Sequence, residues 1–425
     1  MIFFLIVLLV AGVPVGIAFS LVIITRADEW NIVVDYVGQT TVDALLNYPF
    51  LAIPLFMLGG ELMTRGGLTR QLVNVSKRLL GRTSAPMGHI MIGASALMGA
   101  ITGSSVAAVA AIGRAIGPEM LQRGYAPGYV GALNASSGLL GVLLPPSIPL
   151  ILYGSAVGVS ITQLFLATLL PGLLFVASFM AVHTLRARGV LADGGRERAV
   201  EGDPAKGIGG RQILAAVPAL FMPVLVLGGI YSGTFTPTEA AAVAALYALI
   251  YIVIGRTARL RDVNEAFVRA AISAAAVMFI IGFTTIFNRA LTLEQIPQLI
   301  AGQAVSFTEN PLVFLLVVNV ALLIVGMFME TSAATLLMGP LLAPAAAEYG
   351  IDPIHFGIIL VVNIEIGLLT PPLAANLYVA ALVNRIPLIP LIRQVIWFLL
   401  ACLVCLMLVT YIPQIALWYR FLPGF

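Results

Sequence analysis

Charge is what this sequence has least of. Only 10% of its 425 residues are Asp, Glu, Lys or Arg, while 60% are hydrophobic; a water-soluble domain has about 25% charged and 45–50% apolar residues. A fold with water as its sole solvent is excluded. Histidine is nearly missing too: His89, His183 and His355 are the 3 present, far apart. They leave little room for a metal cluster, and no H-E-x-x-H occurs. The 2 cysteines, Cys402 and Cys405, sit inside the apolar run 397–409. Their C-x-x-C spacing lacks the βαβ context of a redox motif, so they read as packing or lipid-facing residues. No excess of one charge sign points to nucleic acid: the net charge is +3, with the arginines confined to short loops.

What is there is a series of long uncharged runs. The first, 2–25, has no leading charge and is longer than the apolar core of a signal peptide. At about 1.5 Å per residue it covers the roughly 30 Å hydrocarbon core, so it reads as a retained first transmembrane helix. Full spans are expected near 2–24, 49–64, 128–156, 160–185, 212–232, 237–256, 271–288, 354–383 and 388–415.

Two apolar segments, 86–120 and 311–347, are interrupted near their centres by Thr102-Gly103-Ser104-Ser105 and Glu330-Thr331-Ser332. Arms of about 14–17 residues give roughly 21–26 Å of helix, short of a full crossing. These segments read as re-entrant hairpins. The spans 128–156 and 354–383 carry Pro145-Pro146 and Pro371-Pro372 after Gly141 and Gly367. Proline removes a backbone donor and clashes with the preceding turn, so both helices should be broken. Irregular backbone at that depth is tolerated only against protein or a water-filled cavity.

The hairpin and the broken helix recur together. A shift of 226 residues superimposes Pro118 on Pro344, Gly124 on Gly350, Pro127 on Pro353, Gly141 on Gly367, and Pro145-Pro146 on Pro371-Pro372. The basic residues give the relative orientation of the copies. With a cytoplasmic N-terminus and non-crossing hairpins, all but Arg26, Arg289 and Arg420 of the 22 Lys and Arg residues fall inside. The first hairpin is then cytoplasmic, the second periplasmic, and so is the C-terminus. The expected fold class is an all-α polytopic membrane protein of two inverted repeats, each with a re-entrant hairpin and a discontinuous helix. The expected divisions are 1–187, a linker with one span over 188–235, and 236–425. The hydrophilic stretch 189–211 reads as a flexible cytoplasmic linker.

Inverted repeats with discontinuous helices are the architecture of secondary transporters, with sites near the midplane. A broken helix leaves carbonyls without intrahelical partners and sets half-helix partial charges there. Carbonyls suit Na⁺, while half-helix N-termini suit a carboxylate. Hydroxyls of Ser104, Ser105, Thr331, Ser332 and Thr370 are available to complete an oxygen shell. Asn134, Ser136 and Ser137 read equally as interhelical hydrogen-bond partners or as site residues, and Asn363 lies before the second break. Small tip residues also permit plain close packing. Glu330, a carboxylate at a hairpin tip, is a cation ligand, a helix cap or a proton carrier; Glu365 is suited to similar work. Thr236-Pro237-Thr238-Glu239 is a capping box.

At these residues the chain resembles the large membrane subunit of TRAP (tripartite ATP-independent periplasmic) transporters. The similarity is carried by I-T-G-S-S-V-A-A-V-A-A-I-G (101–113), L-L-G-V-L-L-P-P-S-I-P-L-I-L-Y-G (139–154), G-T-F-T-P-T-E-A-A-A-V-A (233–244), G-M-F-M-E-T-S-A (326–333) and H-F-G-I-I-L-V-V-N-I-E-I-G-L-L-T-P-P (355–372). The resemblance runs from the first helix to the last. It implies an elevator in the bacterial inner membrane, driven by Na⁺, importing organic acids. It implies one Na⁺ site at Gly103, Ser104, Ser105, Gly141 and Pro145. A second is implied at Glu330, Thr331, Ser332, Gly367, Thr370 and Pro371. Ser105, Asn134, Ser137, Thr331 and Asn363 are the candidate substrate residues. It further implies a small four-helix membrane subunit, expected here as a separate chain, and a periplasmic binding protein. The alternative transport reading is a stand-alone sodium/dicarboxylate symporter without a binding protein. An intramembrane enzyme is disfavoured: no Ser–His pairing at a common depth, paired aspartates or zinc motif is found. The hairpin repeat likewise counts against a subunit of an ATP-driven permease.

Overall fold

The computed structural model describes residues 4–5, 7–8, 11–26, 34–83, 85–191, 197 and 210–421. The start of the first expected span and most of the 189–211 linker lie outside them. The described residues are helical throughout, apart from turns and an isolated bridge between Tyr125 and Leu191. In chain order the first half runs α1 (Val15–Arg26), α2 (Val34–Leu45), α3 (Ala52–Arg65), α4 (Leu68–Leu80), α5 (Pro86–Thr102), α6 (Ser105–Gln122), α7 (Pro127–Gly138), α8 (Leu140–Leu143), α9 (Ile148–Val157) and α10 (Ile161–Val190). A linking helix, α11 (Gly210–Tyr231), follows. The second half runs α12 (Pro237–Gly255), α13 (Leu260–Leu293), α14 (Ile296–Phe307), α15 (Pro311–Phe328), α16 (Thr331–Glu348), α17 (Pro353–Gly367), α18 (Ala375–Asn384), α19 (Leu388–Tyr411) and α20 (Pro413–Ala416).

The 226-residue offset holds for more of the chain than its prolines and glycines announce. Ser105 and Thr331 start α6 and α16, and Pro127 and Pro353 start α7 and α17, each pair 226 apart. Within a few residues the same offset carries α1 to α12, α4 to α14, α5 to α15, α9 to α18 and α10 to α19. The halves differ at α2 and α3, which meet at a 67° bend where their counterpart α13 is one continuous helix of 34 residues. They differ also at Leu139, which separates α7 from α8 where α17 runs unbroken.

Packing respects the repeat. Gly113 of α6 faces Val383 of α18, and Gly339 of α16 faces Val157 of α9. Residue 339 is 226 beyond 113, and 383 is 226 beyond 157, so the two contacts are equivalents. Each hairpin thus packs on the far half of the other repeat's broken helix. Such reciprocal contact is the mark of a two-fold relation between the copies.

Local sequence explains where the helices start. Proline occupies the first helical position of α5, α7, α12, α15 and α17, where its missing N–H costs nothing. The expected capping box at Thr236 and Glu239 is formed on both sides. By length and composition 5 described helices suffice to cross a membrane, or up to 7 with each bent pair as one span. The arms of the hairpins, 17 or 18 residues each, are a little longer than expected. One of them, α15, is long and apolar enough to cross.

Candidate ion and substrate site

Each hairpin tip is seated against the break of its own repeat. In the first, Gly103 takes φ +60° and ends α5, and the Ser104 hydroxyl caps α6 by accepting from the Ala107 N–H at 3.4 Å. The Ile148 N–H donates to the Gly103 carbonyl at 3.4 Å, across from the incoming helix to the tip. A Cβ added at Gly141 would lie 2.6 Å from the Ser104 carbonyl oxygen, so only glycine allows this approach. Gly99 is similarly tight, with its added Cβ 3.0 Å from the Gly141 Cα. Lacking N–H groups, Pro145 and Pro146 leave the carbonyls of Gly141 and Val142 without their helical donors.

The second tip is built differently. Glu330 caps α16, its carboxylate accepting from the Ser332 and Ala333 N–H groups at 2.9 and 3.4 Å and from the Ser332 hydroxyl at 3.0 Å. Capping is therefore the role the geometry gives Glu330. Gly326 and Gly367 stack backbone on backbone, with the Gly326 added Cβ 3.2 Å from the Gly367 Cα. The Leu373 N–H donates to the Met327 carbonyl at 3.1 Å, tying the break to the tip. Pro371 cannot donate to Gly367, whose carbonyl instead accepts from the Thr370 N–H at 2.8 Å. The Thr370 hydroxyl turns back to the Ile366 carbonyl at 3.5 Å.

The two tips converge on one side chain. Glu365 is fully buried, and its Oε1 accepts from the Thr331 hydroxyl at 2.8 Å. Ser105, from the other tip, also faces this carboxyl group. Glu365 Oε2 has no partner. A buried carboxylate oxygen without a donor is costly unless a cation or proton supplies one. Among the described residues no group of three His, Cys, Asp or Glu is arranged to hold a metal. The oxygens present are instead carboxylate, hydroxyl and carbonyl, a set suited to a hard cation.

The other predicted substrate residues make no hydrogen bond to Glu365. Asn134 donates to the Val109 carbonyl at 3.1 Å, tying α7 to α6. Asn363 donates to Asn319 Oδ1 at 2.7 Å and to the Ile359 carbonyl at 2.8 Å. Asn319 in turn donates to the Thr410 hydroxyl at 3.2 Å, so this chain of bonds joins α17, α15 and α19. Ser137 is buried with its hydroxyl unpartnered, as is its neighbour Ser136. One residue escaped the sequence reading altogether. Asn376, at the start of α18, is fully buried with both amide atoms unpartnered. Its signal is a lone amide in the apolar stretch after Pro372.

Two inverted copies of a hairpin and a broken helix, meeting at buried oxygen groups, define a membrane transport permease and not an enzyme. The chain belongs to the family described as "Tripartite ATP-independent periplasmic transporter, DctM component", which matches residues 2–415. It is 41% identical over 377 residues to the C4-dicarboxylate TRAP transporter large permease protein DctM of Pseudomonas aeruginosa, covering 87% of this chain and 86% of that one. It is 36% identical to the sialic acid TRAP transporter large permease protein SiaM of Vibrio cholerae, over 96% and 95% of the two chains. The isethionate TRAP transporter permease protein DctMQ of Oleidesulfovibrio alaskensis is 36% identical over 97% of this chain, which spans only 64% of that protein's length. In fold the chain is similar to the YdaH transporter of Alcanivorax borkumensis, with a TM-score of 0.66 at 17% identity, over 91% and 89% of the two chains.

Proposed function

We propose that this chain is the transport subunit of a sodium-coupled, binding-protein-dependent importer of organic acids in the bacterial inner membrane. The observation that carries the reading is the convergence of both tips on Glu365, with one carboxylate oxygen left open. A site made by both hairpins changes whenever either tip moves, which is how ion and solute binding become coupled. The hairpins and broken helices form the mobile elevator, carried against α1–α3 and α11–α13. The relatives named above are TRAP permeases for C4-dicarboxylate, sialic acid and isethionate, all organic anions. The partners are a small four-helix membrane subunit and a periplasmic binding protein that selects the acid.

Reconstitution of the three components tests this. Uptake of radiolabelled succinate, sialic acid or isethionate should require an inward sodium gradient and ignore ATP. Unchanged uptake in sodium-free buffer with a proton gradient would overturn the coupling. Full uptake without the binding protein would instead favour the stand-alone symporter.

The inverted topology has its own test. Gln122 and Glu348 are exposed, end α6 and α16, and are 226 residues apart. In a Cys402→Ala/Cys405→Ala background, Gln122→Cys should react with an impermeant thiol reagent from the cytoplasmic side only. Glu348→Cys should react from the periplasmic side only. Reaction of both from one side would end the inverted orientation.

A further inference from the structure

Between the first hairpin and α3 and α13 lies a cavity of about 480 Å³. Its upper end is Ser104 at the tip. Along α6 its wall is Ala107, Ala110 and Ala111, one small-residue face, ending at Arg114. Ten residues separate Ser104 from Arg114, or about 15 Å of helix. The opposite wall brings Glu61 and Arg65 from α3 and Arg269 from α13.

The charges in this cavity do not balance. Arg65 is matched by Glu265 at 2.8 Å and Glu61 at 3.9 Å. Glu61 is the only carboxylate in the lining. Arg114 and Arg269 are exposed to the cavity, and neither has an ion-pair partner among the described residues. Two uncompensated guanidinium groups thus share one cleft with apolar walls. Such a cleft focuses positive potential and raises the local concentration of anions. Guanidinium also binds carboxylate or sulfonate oxygens through paired N–H donors.

We propose that Arg114 and Arg269 form a second anion subsite, which receives the carboxylate or sulfonate of the acid after it leaves the hairpin tips. This rests on the organic-acid reading above and adds a station to it. A compact acid cannot touch the tip and Arg114 together, so the subsite is separate from the hairpin tip. On the orientation inferred from the basic residues, it stands on the cytoplasmic side of the tip, as a release station.

The test reads local charge and needs no transport, so its failure is distinct from failure of the proposed function. Ala107→Cys, in the Cys402→Ala/Cys405→Ala background of the full complex, places a thiol on the cavity wall. Its modification rate is measured with an anionic and a cationic methanethiosulfonate of similar size. The anionic reagent should be favoured at low salt, with the preference collapsing at about 1 M salt, where the Debye length is about 3 Å. Arg114→Gln and Arg269→Gln should each lower the ratio about three- to tenfold, and Arg→Lys should restore most of it. Succinate or isethionate should slow labelling, and the Arg114→Gln/Arg269→Gln pair should abolish that protection. A ratio that ignores both salt and the arginines would reduce them to lipid-headgroup anchors and overturn the proposal. Charge preference without protection by either acid would overturn the subsite as well.

Discussion

Alanine at Gly367 should reduce uptake to background. The added Cβ would lie 2.5 Å from the Gly326 Cα, a backbone atom that no rotamer change can move aside. Relief requires α15 and α17 to part, which unseats the second hairpin from its break. Overpacking of this kind costs about 1–3 kcal/mol where neighbours can yield, and more where they cannot. Gly141→Ala makes the same demand in the first repeat, its Cβ 2.6 Å from the Ser104 carbonyl oxygen. Gly302 on α14 is the control. It is exposed, and nothing lies within 4 Å of its added Cβ. Gly302→Ala should therefore leave uptake intact, with helix stability raised by up to about 1 kcal/mol. Initial uptake rates and thermal unfolding of the purified complex, measured together, separate lost seating from lost protein. A Gly367→Ala protein that transports at the unmodified rate would show that the tip is not held as the structure has it.

These glycines also mark how far the sequence can be read. Gly141, Gly367 and the double prolines were legible because breaking a helix is local chemistry: a missing donor and a missing Cβ act within one turn. The repeat was legible for the same reason, through the punctuation it preserves. The helices α4 and α14 were not. They have 13 and 12 residues, too few to stand out as spans, and α4 carries Arg70, Lys77 and Arg78. Only the 226-residue offset of their bounds identifies them as equivalents, since their packing differs, α4 lying on α5 and α14 on α16. The bend that separates α2 from α3 is marked by Pro49 in the 3-10 turn Tyr48–Leu51, whereas α13 contains no proline and runs continuously.

The candidate site divides along the same line. That Glu330 caps α16 follows from its place just before a helix, a short-range matter. The meeting of Ser105 and Thr331 at Glu365 brings together residues 226 and 34 positions apart, and no local rule contains it. Polar residues inside the membrane announce that something is there, but the fold alone says which of them share a site. Asn134 and Asn363 are divided: their amide nitrogens tie helices together, while their amide oxygens are buried without a partner and remain open to a ligand.

Replacing Glu365 by glutamine should weaken apparent sodium affinity about a hundredfold while the protein remains folded. Glutamine keeps the shape of the side chain and an acceptor for the Thr331 hydroxyl, now 2.8 Å from Oε1. What it removes is the negative charge at Oε2, the oxygen that has no partner. If a sodium ion is that partner, the variant leaves a buried cation without its charged ligand. Loss of one member of a buried charge pair costs about 3–5 kcal/mol, and 3 kcal/mol is already about a hundredfold in affinity. The neutral ligands should matter less. Ser105→Ala and Thr331→Ala each remove one hydroxyl, worth about 1–2 kcal/mol, or five- to thirtyfold. Glu365→Gln should therefore exceed both, and the order can be read from initial uptake against sodium concentration, with thermal unfolding as the folding control. A Glu365→Gln curve that overlays the unmodified protein's would make Glu365 a protonated packing group. A variant that loses uptake at every sodium concentration, paired with proton-driven uptake in the unmodified protein, would make it a proton carrier instead.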